Sequence, residues 1–327
     1  TALIGHSMGE NTAACVAGVM SFEDCIGLVL LRGRLFETVE KGGMLSVPLS
    51  EDELLARMGP ELDIASLNAP GLSVVSGTQG ALDRFEAELA RDGIEARRIQ
   101  IDIAAHSRLL EPILGHFGDY LRSLKLNAPQ IPFVSNRTGD WITDEEATDP
   151  DYWVRHLRGT IHFRAGLSTL AANPNRIYIE VGPGVALASL AGQHDTVTAN
   201  QVVGTLRHPE DRIADDIYFM AMLGRVWATG ASFDWSQIWG GARRNRLVLP
   251  TYPFQHSRYF IEPSTEGAGA ADDLWLTRIE NRDDWAWKPV WKPAYPQVEP
   301  GIVETLAADT PENWLIFEDE TGLGAAL

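Results

Sequence analysis

The sequence predicts an α/β fold in which a smaller βαββαβ subdomain interrupts a larger core. The first observation is a short apolar strand at Thr1–Ile4 that leads directly into a Gly-x-Ser-x-Gly turn and then into a helix. The second is that strand-like and helix-like segments follow one another in the order βαββαβ between Gly43 and Ile103. The third is length, because 327 residues are enough for more than one domain with a sizeable core.

The predicted elements of the larger core lie on both sides of the insert in sequence. A helix of small residues follows Ser7, and Ser21 with Asp24 predicts a capping box that begins a second helix ending near Phe36. After the insert, the pattern predicts a helix at Leu109–Leu124, a strand at Ile131–Ser135, a helix from Pro150, a strand at Arg176–Val181 and a helix at Ala214–Ala228.

The insert, about residues 43–103, is predicted from its caps and turns. Its strands are expected at Met44–Leu49, Leu62–Leu67, Leu72–Ser76 and Arg97–Ile103, and its helices after Ser50 and at Gly80–Arg91. Asn68–Gly71 is a turn signal between the two middle strands. This order is the ferredoxin-like arrangement.

The chain is predicted to divide into four segments. Residues 1–206 form the main domain, and residues 207–262 form a following helix and an irregular linker. Residues 263–284 are expected to be a flexible linker because they begin with the stretch Pro-Ser-Thr-Glu-Gly-Ala-Gly-Ala-Ala. Residues 285–327 are expected to begin a new domain, with strands at Trp285–Trp291 and Trp314–Phe317. A start at a strand and without methionine indicates a fragment of a longer polypeptide.

Composition argues against several classes of function. A net charge of −18 does not suit a nucleic-acid partner, because phosphate neutralisation needs a basic surface. No apolar run reaches the roughly 20 residues of a membrane span. Cys15 and Cys25 offer neither a disulfide framework nor metal-ligand spacing. We therefore expect reduced thiols, a cytoplasmic protein, no membrane association and no metal site.

Ser7 is the predicted nucleophile. Gly5–Gly9 fits the nucleophile elbow of an α/β-hydrolase-like core, in which glycines permit a strained turn that exposes the serine hydroxyl. The turn also directs backbone N–H groups and a helix N-terminus toward a developing oxyanion. His6 is next to the serine, but on a sharp turn its side chain is expected to point away and to pack.

A serine nucleophile needs a base, and His106 is the preferred candidate among eight histidines. It follows the last predicted strand of the insert, and catalytic groups commonly lie where strands end in loops. The spacing by itself leaves an ordinary loop histidine as an open alternative.

Six motifs that occur in one order indicate a family. They are GHSMGE at Gly5–Glu10, RG at Arg32-Gly33, AHS at Ala105–Ser107, YWVRHLR at Tyr152–Arg158, EVGPG at Glu180–Gly184 and LPTYPFQ at Leu249–Gln255. Together they resemble the acyltransferase domain of modular type I polyketide synthases, a relative of malonyl-CoA:acyl carrier protein transacylase. The resemblance covers about residues 1–262. Residues from 285 onward resemble the start of a ketoreductase structural subdomain.

The resemblance implies a role for each site residue. Ser7 would be the nucleophile, His106 the general base oriented by a backbone carbonyl, and Arg32 the group that binds the carboxylate of a malonyl-type extender. The Met8 N–H matches one oxyanion donor, and the second is expected upstream of Thr1. The acyl group would pass from CoA to the 4'-phosphopantetheine thiol of an acyl carrier protein. No cofactor is bound directly, and ketosynthase and ketoreductase domains are expected partners.

The resemblance also implies an acyl pocket. The residues expected to line it are His6, Ile103, Ala104, Ala105 and His156. The sequence Ile-Ala-Ala-His that ends at His106 matches neither of the common family patterns, His-Ala-Phe-His for malonyl and Tyr-Ala-Ser-His for methylmalonyl. The small Ala105 favours methylmalonyl, whereas Met8 is closer to malonyl-type enzymes. One methyl group is worth only about 1–3 kcal/mol in such a pocket. The prediction is malonyl or methylmalonyl, with a slight preference for methylmalonyl.

Two other functions share some of these features. An α/β-hydrolase or thioesterase has the same elbow, but its triad follows the order Ser, Asp or Glu, His, with the histidine late in the domain. The preferred histidine here comes early, at His106. A non-catalytic docking or scaffold segment of a megasynthase is the second alternative, because the expected second oxyanion donor is not in the sequence.

Overall fold

The computed structural model of the chain describes residues 1–240, 242, 245–257 and 281. Contacts divide the chain into two units, Thr1–Arg244 and Asn245–Leu327. Residues 245–257 contain no helix or strand. The linker predicted at 263–284 is described only at Asn281, and the strands predicted at Trp285–Trp291 and Trp314–Phe317 lie outside the described residues. The division into four segments therefore stays a prediction.

The first elements of the core are β1 (Leu3–Ile4), α1 (Met8–Val16) and α2 (Phe22–Phe36). The small residues of α1 allow close packing, since Ala13 and Ala14 are buried. The capping box predicted at Ser21 is only half formed. Ser21 Oγ accepts a hydrogen bond from the Asp24 N–H, but the Asp24 carboxylate accepts from the Ser21 hydroxyl instead of its backbone N–H.

The insert has the predicted ferredoxin-like topology. Its elements are β2 (Gly42–Val47), α3 (Glu51–Arg57), β3 (Asp63–Ala69), β4 (Leu72–Thr78), α4 (Gln79–Arg91) and β5 (Arg97–Ile99). The four strands form an antiparallel sheet in the order β3-β4-β2-β5. The capping box of Ser50 and Glu53 begins α3 as predicted. Leu82, Phe85 and Leu89 of α4 cover one face of the sheet.

The last strand of the insert is shorter than predicted. Alternation predicts a strand at Arg97–Ile103, but β5 ends at Ile99. The Ile101 N–H donates to the Ile99 carbonyl at 2.8 Å, which interrupts the regular strand, and the Gly42 N–H of β2 donates to the Asp102 carbonyl at 3.1 Å beyond that interruption. Alternation of apolar residues does not produce a buried strand face here, because Ile99 and Ile101 are 37% and 41% exposed. Burial resumes after this interruption, since Ala104, Ala105 and His106 are buried.

The remaining core elements are helical apart from three short strands. They are the 3-10 helix η1 (Arg108–Ile113), α5 (Leu114–Ser123), β6 (Phe133–Val134), α6 (Asp144–Thr148), α7 (Pro150–Arg158), α8 (Phe163–Ala171), β7 (Tyr178–Pro183), α9 (Ala186–Ala191), the 3-10 helix η2 (Ala199–Gln201), β8 (Val202–Leu206), α10 (Asp215–Ala228) and α11 (Trp235–Trp239). The single helix predicted at Leu109–Leu124 is two helices, because Pro112 cannot donate within an α-helix. The sequence did not predict α8 or β8.

The core strands pair in parallel. The pairs are β1 with β6 and β7 with β8, and they form two separate two-stranded sheets in the described part of the chain. The predicted α/β class is confirmed. Because β1 and β6 are parallel, the residues that follow them, Ser7 and Asn136, lie at the same end of the sheet. Phe133 and Trp153 fill the core beneath this end and are fully buried.

Candidate active site

Ser7 occupies a strained turn between β1 and α1. Its φ of 53° and ψ of −116° are unusual for a residue with a side chain. The turn brings Gly5 so close to α1 that a Cβ on Gly5 would lie 2.0 Å from the carbonyl carbon of Gly9. The first glycine of the motif is therefore required by backbone packing. The turn places Ser7 at the N-cap of α1.

Ser7 and His106 are in hydrogen-bonding contact across 99 residues of sequence. Ser7 Oγ lies 2.7 Å from His106 Nε2. His106 is only 3% exposed, and its φ is 57°. Among the described residues, these two are the non-glycine positions with positive φ. The fold therefore brings the predicted nucleophile and base together and holds both in unusual backbone conformations.

His106 is surrounded by groups that disfavour its protonation. Burial is the main reason why the pKa of His106 lies well below its usual value. The neighbouring His156, Arg32 and His6 side chains also disfavour a positive charge on the ring and lower that pKa further. The Gly159 backbone favours the protonated ring, although His106 Nδ1 makes no hydrogen bond of good geometry within the described residues. Near pH 7 the imidazole is neutral, so Nε2 can accept a proton.

Arg32 on α2 is a half-buried cation. Burial lowers the pKa of its guanidinium, and no carboxylate of the described residues offsets that effect with an ion pair. The group stays protonated, because an arginine side chain does not lose its charge in proteins. Its guanidinium lies 5.0 Å from the centroid of the Phe36 ring. Since its charge lowers the pKa of His106, an unpaired cation lies close to the Ser7–His106 contact.

His6 packs against both parts of the molecule. Its Nε2 lies 2.8 Å from Asn68 Oδ1 of the insert, and its ring centroid lies 5.2 Å from that of Phe163. Burial lowers the pKa of His6. These contacts agree with the expectation that the His6 side chain packs within the protein. The ring is nevertheless near enough to His106 to influence its pKa.

The Ile103–Ala105 segment lies against the insert. Ala104 is 1% exposed, and Ala105 is 8% exposed and packs with Met44, Ala65 and Val74. Ile103 is partly buried beside the same cluster. The strands of the insert therefore form one wall next to His106, the predicted base.

Met8 is the first residue of α1, and its side chain is 46% exposed. Backbone N–H groups in the first turn of a helix have no partner within the helix, and the helix dipole adds partial positive charge there. The Met8 N–H lies directly after Ser7, where an oxyanion would develop on a substrate attached to the serine.

Sequence reasoning missed three buried polar residues next to Ser7. Asn136 accepts a hydrogen bond from the Ser7 N–H at 2.8 Å. Glu10 is 0% exposed, and Tyr152 donates to it at 2.5 Å. Two signals were available, namely an acidic residue in a helix of small apolar residues and an asparagine directly after the strand predicted at Ile131–Ser135. Neither signal indicates which groups would meet.

His156, a predicted pocket residue, lies deep in the same place. It is 3% exposed, and its ring centroid lies 6.3 Å from that of His106 at an interplanar angle of 78°. His156 Nε2 lies 3.3 Å from Glu10 Oε2.

In the described part of the chain no helix is long and apolar enough to span a membrane, and no group of three or more His, Cys, Asp and Glu side chains could hold a metal ion.

Comparison with known proteins agrees with this geometry. A sequence model of the acyl transferase domain matches residues 1–228, which is more than half of the chain. The chain belongs to the acyl transferase domain family. The resemblance inferred from the six motifs is therefore confirmed.

The relatives of this acyl transferase domain are polyketide synthases. The chain is 35% identical over 264 residues to a phenolphthiocerol/phthiocerol polyketide synthase of Mycobacterium tuberculosis, a match that covers 80% of the chain and 18% of that protein. It is 37% identical over 292 residues to polyketide synthase GfsB of Streptomyces halstedii, which covers 86% of the chain and 5% of GfsB. The chain thus spans less than a fifth of the length of these two relatives.

Two solved acyl transferase domains have similar structures. The domain of SpnD in complex with 2-(pent-4-yn-1-yl)malonyl is 42% identical with a TM-score of 0.66, and the match covers 70% of this chain and 56% of that one. The domain from the second module of the salinomycin polyketide synthase is 35% identical with a TM-score of 0.69, and the match covers 76% of this chain and 59% of that one.

Proposed function

We propose that this acyl transferase domain moves a malonyl-type acyl group from CoA to the phosphopantetheine thiol of an acyl carrier protein through an ester on Ser7. The main supporting observation is that Ser7 Oγ lies 2.7 Å from Nε2 of a neutral, buried His106, with the unpaired Arg32 cation nearby. A serine, a base and a cation for a carboxylate are the three groups that this chemistry needs.

The first half-reaction acylates the serine. His106 Nε2 takes the proton of Ser7 Oγ while the oxygen attacks the thioester carbonyl carbon. The Met8 N–H stabilises the oxyanion of the tetrahedral intermediate, together with a second donor that the family resemblance assigns to an upstream segment. The C–S bond breaks, and the CoA sulfur leaves with the proton from His106.

The second half-reaction transfers the acyl group. The carrier thiol gives its proton to His106 and attacks the ester carbonyl of acyl-Ser7. The C–O bond breaks, and the Ser7 oxygen recovers the proton from His106. Since CoA leaves before the carrier protein reacts, the kinetics should be ping-pong. Water must react more slowly than the carrier thiol, or the ester would be hydrolysed.

Arg32 supports a dicarboxylic acyl group as the substrate. A guanidinium can hold a carboxylate through two parallel hydrogen bonds. An acyl-CoA without a free carboxylate would leave this half-buried cation unpaired, which is costly. The SpnD domain, a solved relative, has a substituted malonyl group as its ligand.

The choice of extender depends on the wall beside His106. Ala105 is small, and it packs with Met44 and Val74 of the insert instead of presenting a large aromatic ring. A branch methyl can therefore be accommodated, and methylmalonyl is the preferred extender, with malonyl also accepted. The preference for methylmalonyl over malonyl should be worth about 1–3 kcal/mol, which is the contribution of one methyl group in an apolar pocket.

The same proposal includes the surroundings of the domain. The acyl carrier protein, ketosynthase and ketoreductase domains of one synthase are the expected partners, in agreement with relatives that are polyketide synthases. Acyl-CoA and carrier-borne phosphopantetheine are substrates, and no cofactor is bound directly. The main domain would end near residue 206, with the linkers at 207–262 and 263–284 and a ketoreductase-like domain from 285. The cytoplasmic location is inferred from the two free thiols, Cys15 and Cys25.

The test is a loading assay followed by intact mass spectrometry. The chain is mixed with methylmalonyl-CoA, then with a phosphopantetheinylated carrier protein, and the acyl masses on both proteins are measured. Acylation of the chain should precede carrier loading, and Ser7→Ala and His106→Ala should abolish both. The assay is repeated with a fusion to the part of the SpnD domain that the chain does not match, because one oxyanion donor is expected outside the chain.

Three outcomes would contradict the proposal. Fast thioester hydrolysis without carrier loading would indicate a hydrolase or thioesterase. Absence of any acyl adduct in both protein formats would favour a scaffold. A normal rate in His106→Ala would assign the base to another residue.

A further inference from the structure

Glu10 is a buried carboxylate in the first turn of α1. It is 0% exposed, so its carboxylate has no contact with bulk solvent. Oε2 accepts a hydrogen bond from the Asn136 N–H at 2.7 Å, and Oε1 accepts one from the Tyr152 hydroxyl at 2.5 Å. A buried carboxylate is tolerated only where such donors replace water. Each oxygen of Glu10 therefore has a fixed hydrogen-bond donor, one just after β6 and one in α7.

The side chain of Asn136 bridges the turn that contains Ser7. Asn136 Oδ1 accepts from the Ser7 N–H at 2.8 Å, and Asn136 Nδ2 donates to the Gly5 carbonyl at 2.8 Å. The residue is 1% exposed. Its amide group thus ties together the two sides of a turn in which Ser7 has a φ of 53°. Strained backbone conformations persist only where surrounding contacts fix them.

Glu10 fixes the position of Asn136 through the Asn136 backbone. The Glu10 carboxylate accepts a hydrogen bond directly from the Asn136 N–H. It also accepts one from the Tyr152 hydroxyl, which lies 2.6 Å from Ser135 Oγ. Two consecutive residues at the end of β6 are therefore linked to one carboxylate.

The carboxylate also lies beside His156, a histidine that packs against His106. His156 Nε2 lies 3.3 Å from Glu10 Oε2, and the His156 ring stands edge-on to His106 at 6.3 Å between centroids. Glu10 therefore contacts the neighbours of both reacting groups, although it does not touch Ser7 Oγ or His106 itself.

We infer that Glu10 is a positioning residue, which acts through Asn136 to hold the Ser7 turn in the conformation that places Oγ against His106 Nε2. The inference concerns the site of the proposed acyl transfer and rests on that function for its role in the reaction. The holding of the turn is a property of the free protein and can be measured without substrate.

The first readout is hydrogen exchange of the Ser7 amide, which donates to Asn136 Oδ1. Glu10→Ala and Asn136→Ala should each raise the exchange rate of this amide by about tenfold, which corresponds to a net hydrogen-bond contribution of about 1.4 kcal/mol. Glu23→Ala is the control, because Glu23 is an exposed acid in the first turn of α2. It should leave the Ser7 amide protected.

The second readout is the rate at which Ser7 reacts with a fluorophosphonate probe, expressed per folded molecule. Glu10→Ala should lower this rate constant by at least about tenfold. The double variant with Asn136→Ala should be no slower than the slower single variant, because both act on one contact chain. Glu10→Gln should restore most of the rate, since its amide can accept from the Asn136 N–H and donate to the Tyr152 oxygen.

A purely structural role would lower the folded fraction of Glu10→Ala and leave both the rate constant and the Ser7 amide exchange of folded molecules unchanged. That result would overturn the inference. If Glu10→Ala does not fold, the test uses Glu10→Gln, which should keep the Ser7 amide protected. A tenfold faster exchange of the Ser7 amide in Glu10→Gln would also overturn the inference. Failure of CoA-dependent transfer with normal amide protection would count against the proposed function alone.

Discussion

At the scale of single residues, the site is defined by two side chains in left-handed backbone conformations. Ser7 and His106 have φ values of 53° and 57°. Each such conformation costs about 1–3 kcal/mol and persists because its surroundings fix it. The hydrogen bond between Ser7 Oγ and His106 Nε2 depends on both. The sequence indicated both residues, the serine from its glycines and the histidine from its place after a strand.

The charge around the site gives a prediction for Arg32. Arg32→Ala should lower self-acylation by malonyl-type CoA by at least about thirtyfold and raise the relative use of acetyl-CoA, because truncating one partner of a buried charge pair costs about 2 kcal/mol or more. Arg34→Ala is the matched control, because Arg34 is exposed on the same helix. The measurement is the ratio of malonyl to acetyl adduct on Ser7. An unchanged ratio would argue against a carboxylate contact at Arg32.

The buried histidines give a prediction for pH. Burial lowers the pKa values of His6, His106 and His162 in the folded protein. An unfolded histidine binds a proton below about pH 6.5, whereas these rings stay neutral, so the free energy of unfolding should fall as the pH drops from about 6.5 to about 5. The contribution is fully present above about pH 6.5. Urea midpoints at several pH values test this.

The matched variants for the pH series are His106→Gln and His116→Gln. His106→Gln should flatten the pH dependence by about 1.4 kcal/mol for each unit by which burial lowers the pKa. His116 is exposed on α5, so its replacement should leave the slope unchanged. Equal slopes in all three proteins would show that His106 is not held neutral by the fold.

At the scale of elements, the junction of β1 and α1 determines where Ser7 stands. The junction is closed by contact between backbones, since a Cβ on Gly5 would lie 2.0 Å from Gly9, whereas a Cβ on Gly9 would meet nothing within 4 Å. Close backbone packing therefore requires a glycine at position 5 but not at position 9. The Gly-x-Ser-x-Gly motif by itself does not reveal this difference.

This difference is testable by stability measurements. Gly5→Ala should lower the free energy of unfolding by about 3 kcal/mol or more, because backbone atoms of α1 would have to move. Gly9→Ala should be neutral or stabilise the fold by up to about 1 kcal/mol, because it adds helix propensity in open space. Urea denaturation of both variants is the measurement. Equal losses would mean that the close approach at Gly5 is absent in solution.

The elements also show where local patterns succeed and fail. The capping box at Ser50 and Glu53 forms as predicted, because its hydrogen bonds connect neighbouring residues. The strand expected at Arg97–Ile103 ends at Ile99, because alternation specifies a strand only where one face is buried. The strand predicted at Ile131–Ser135 forms, but only as the two residues of β6, Phe133–Val134.

At the scale of the whole described unit, the insert and the core share the segment around the base. The Ile161 N–H donates to the Ala65 carbonyl of β3, and the Ile161 carbonyl accepts from the Leu67 N–H. Asp63, also on β3, accepts from the Arg108 N–H at 2.9 Å and from Arg108 Nε at 3.0 Å. The Ile161 contacts fix the insert against the segment between α7 and α8, and Asp63 fixes it against the chain that leaves His106.

Asp63 provides the test of this attachment. Burial raises its pKa, but the hydrogen bonds from Arg108 and the charge of Arg158 outweigh that effect and hold the pKa below its usual value. Asp63→Ala should cost about 2 kcal/mol of stability, as for other hydrogen bonds to charged groups, and should slow acylation of Ser7.

The control for Asp63 is an ion pair inside the insert. Asp92 pairs with Arg57, and both side chains are more than a third exposed. Asp92→Ala should therefore cost less than about 1 kcal/mol and leave acylation of Ser7 unchanged. Equal effects of the two variants on the urea midpoint would indicate that Asp63 does not attach the insert.

Local sequence was enough to specify the α/β class and the βαββαβ order of the insert, and to indicate Ser7 and His106 as candidates, whereas Arg32 was indicated only by the family resemblance. Glycine turns, caps and periodicity are interactions between near neighbours, so they leave a local pattern. Tertiary packing was needed to bring Glu10, Asn136 and Tyr152 together beside the nucleophile, at separations of 126 and 142 residues from Glu10. A hydrogen bond between distant residues leaves no pattern in the residues around either partner, and it forms only when packing has removed water from both.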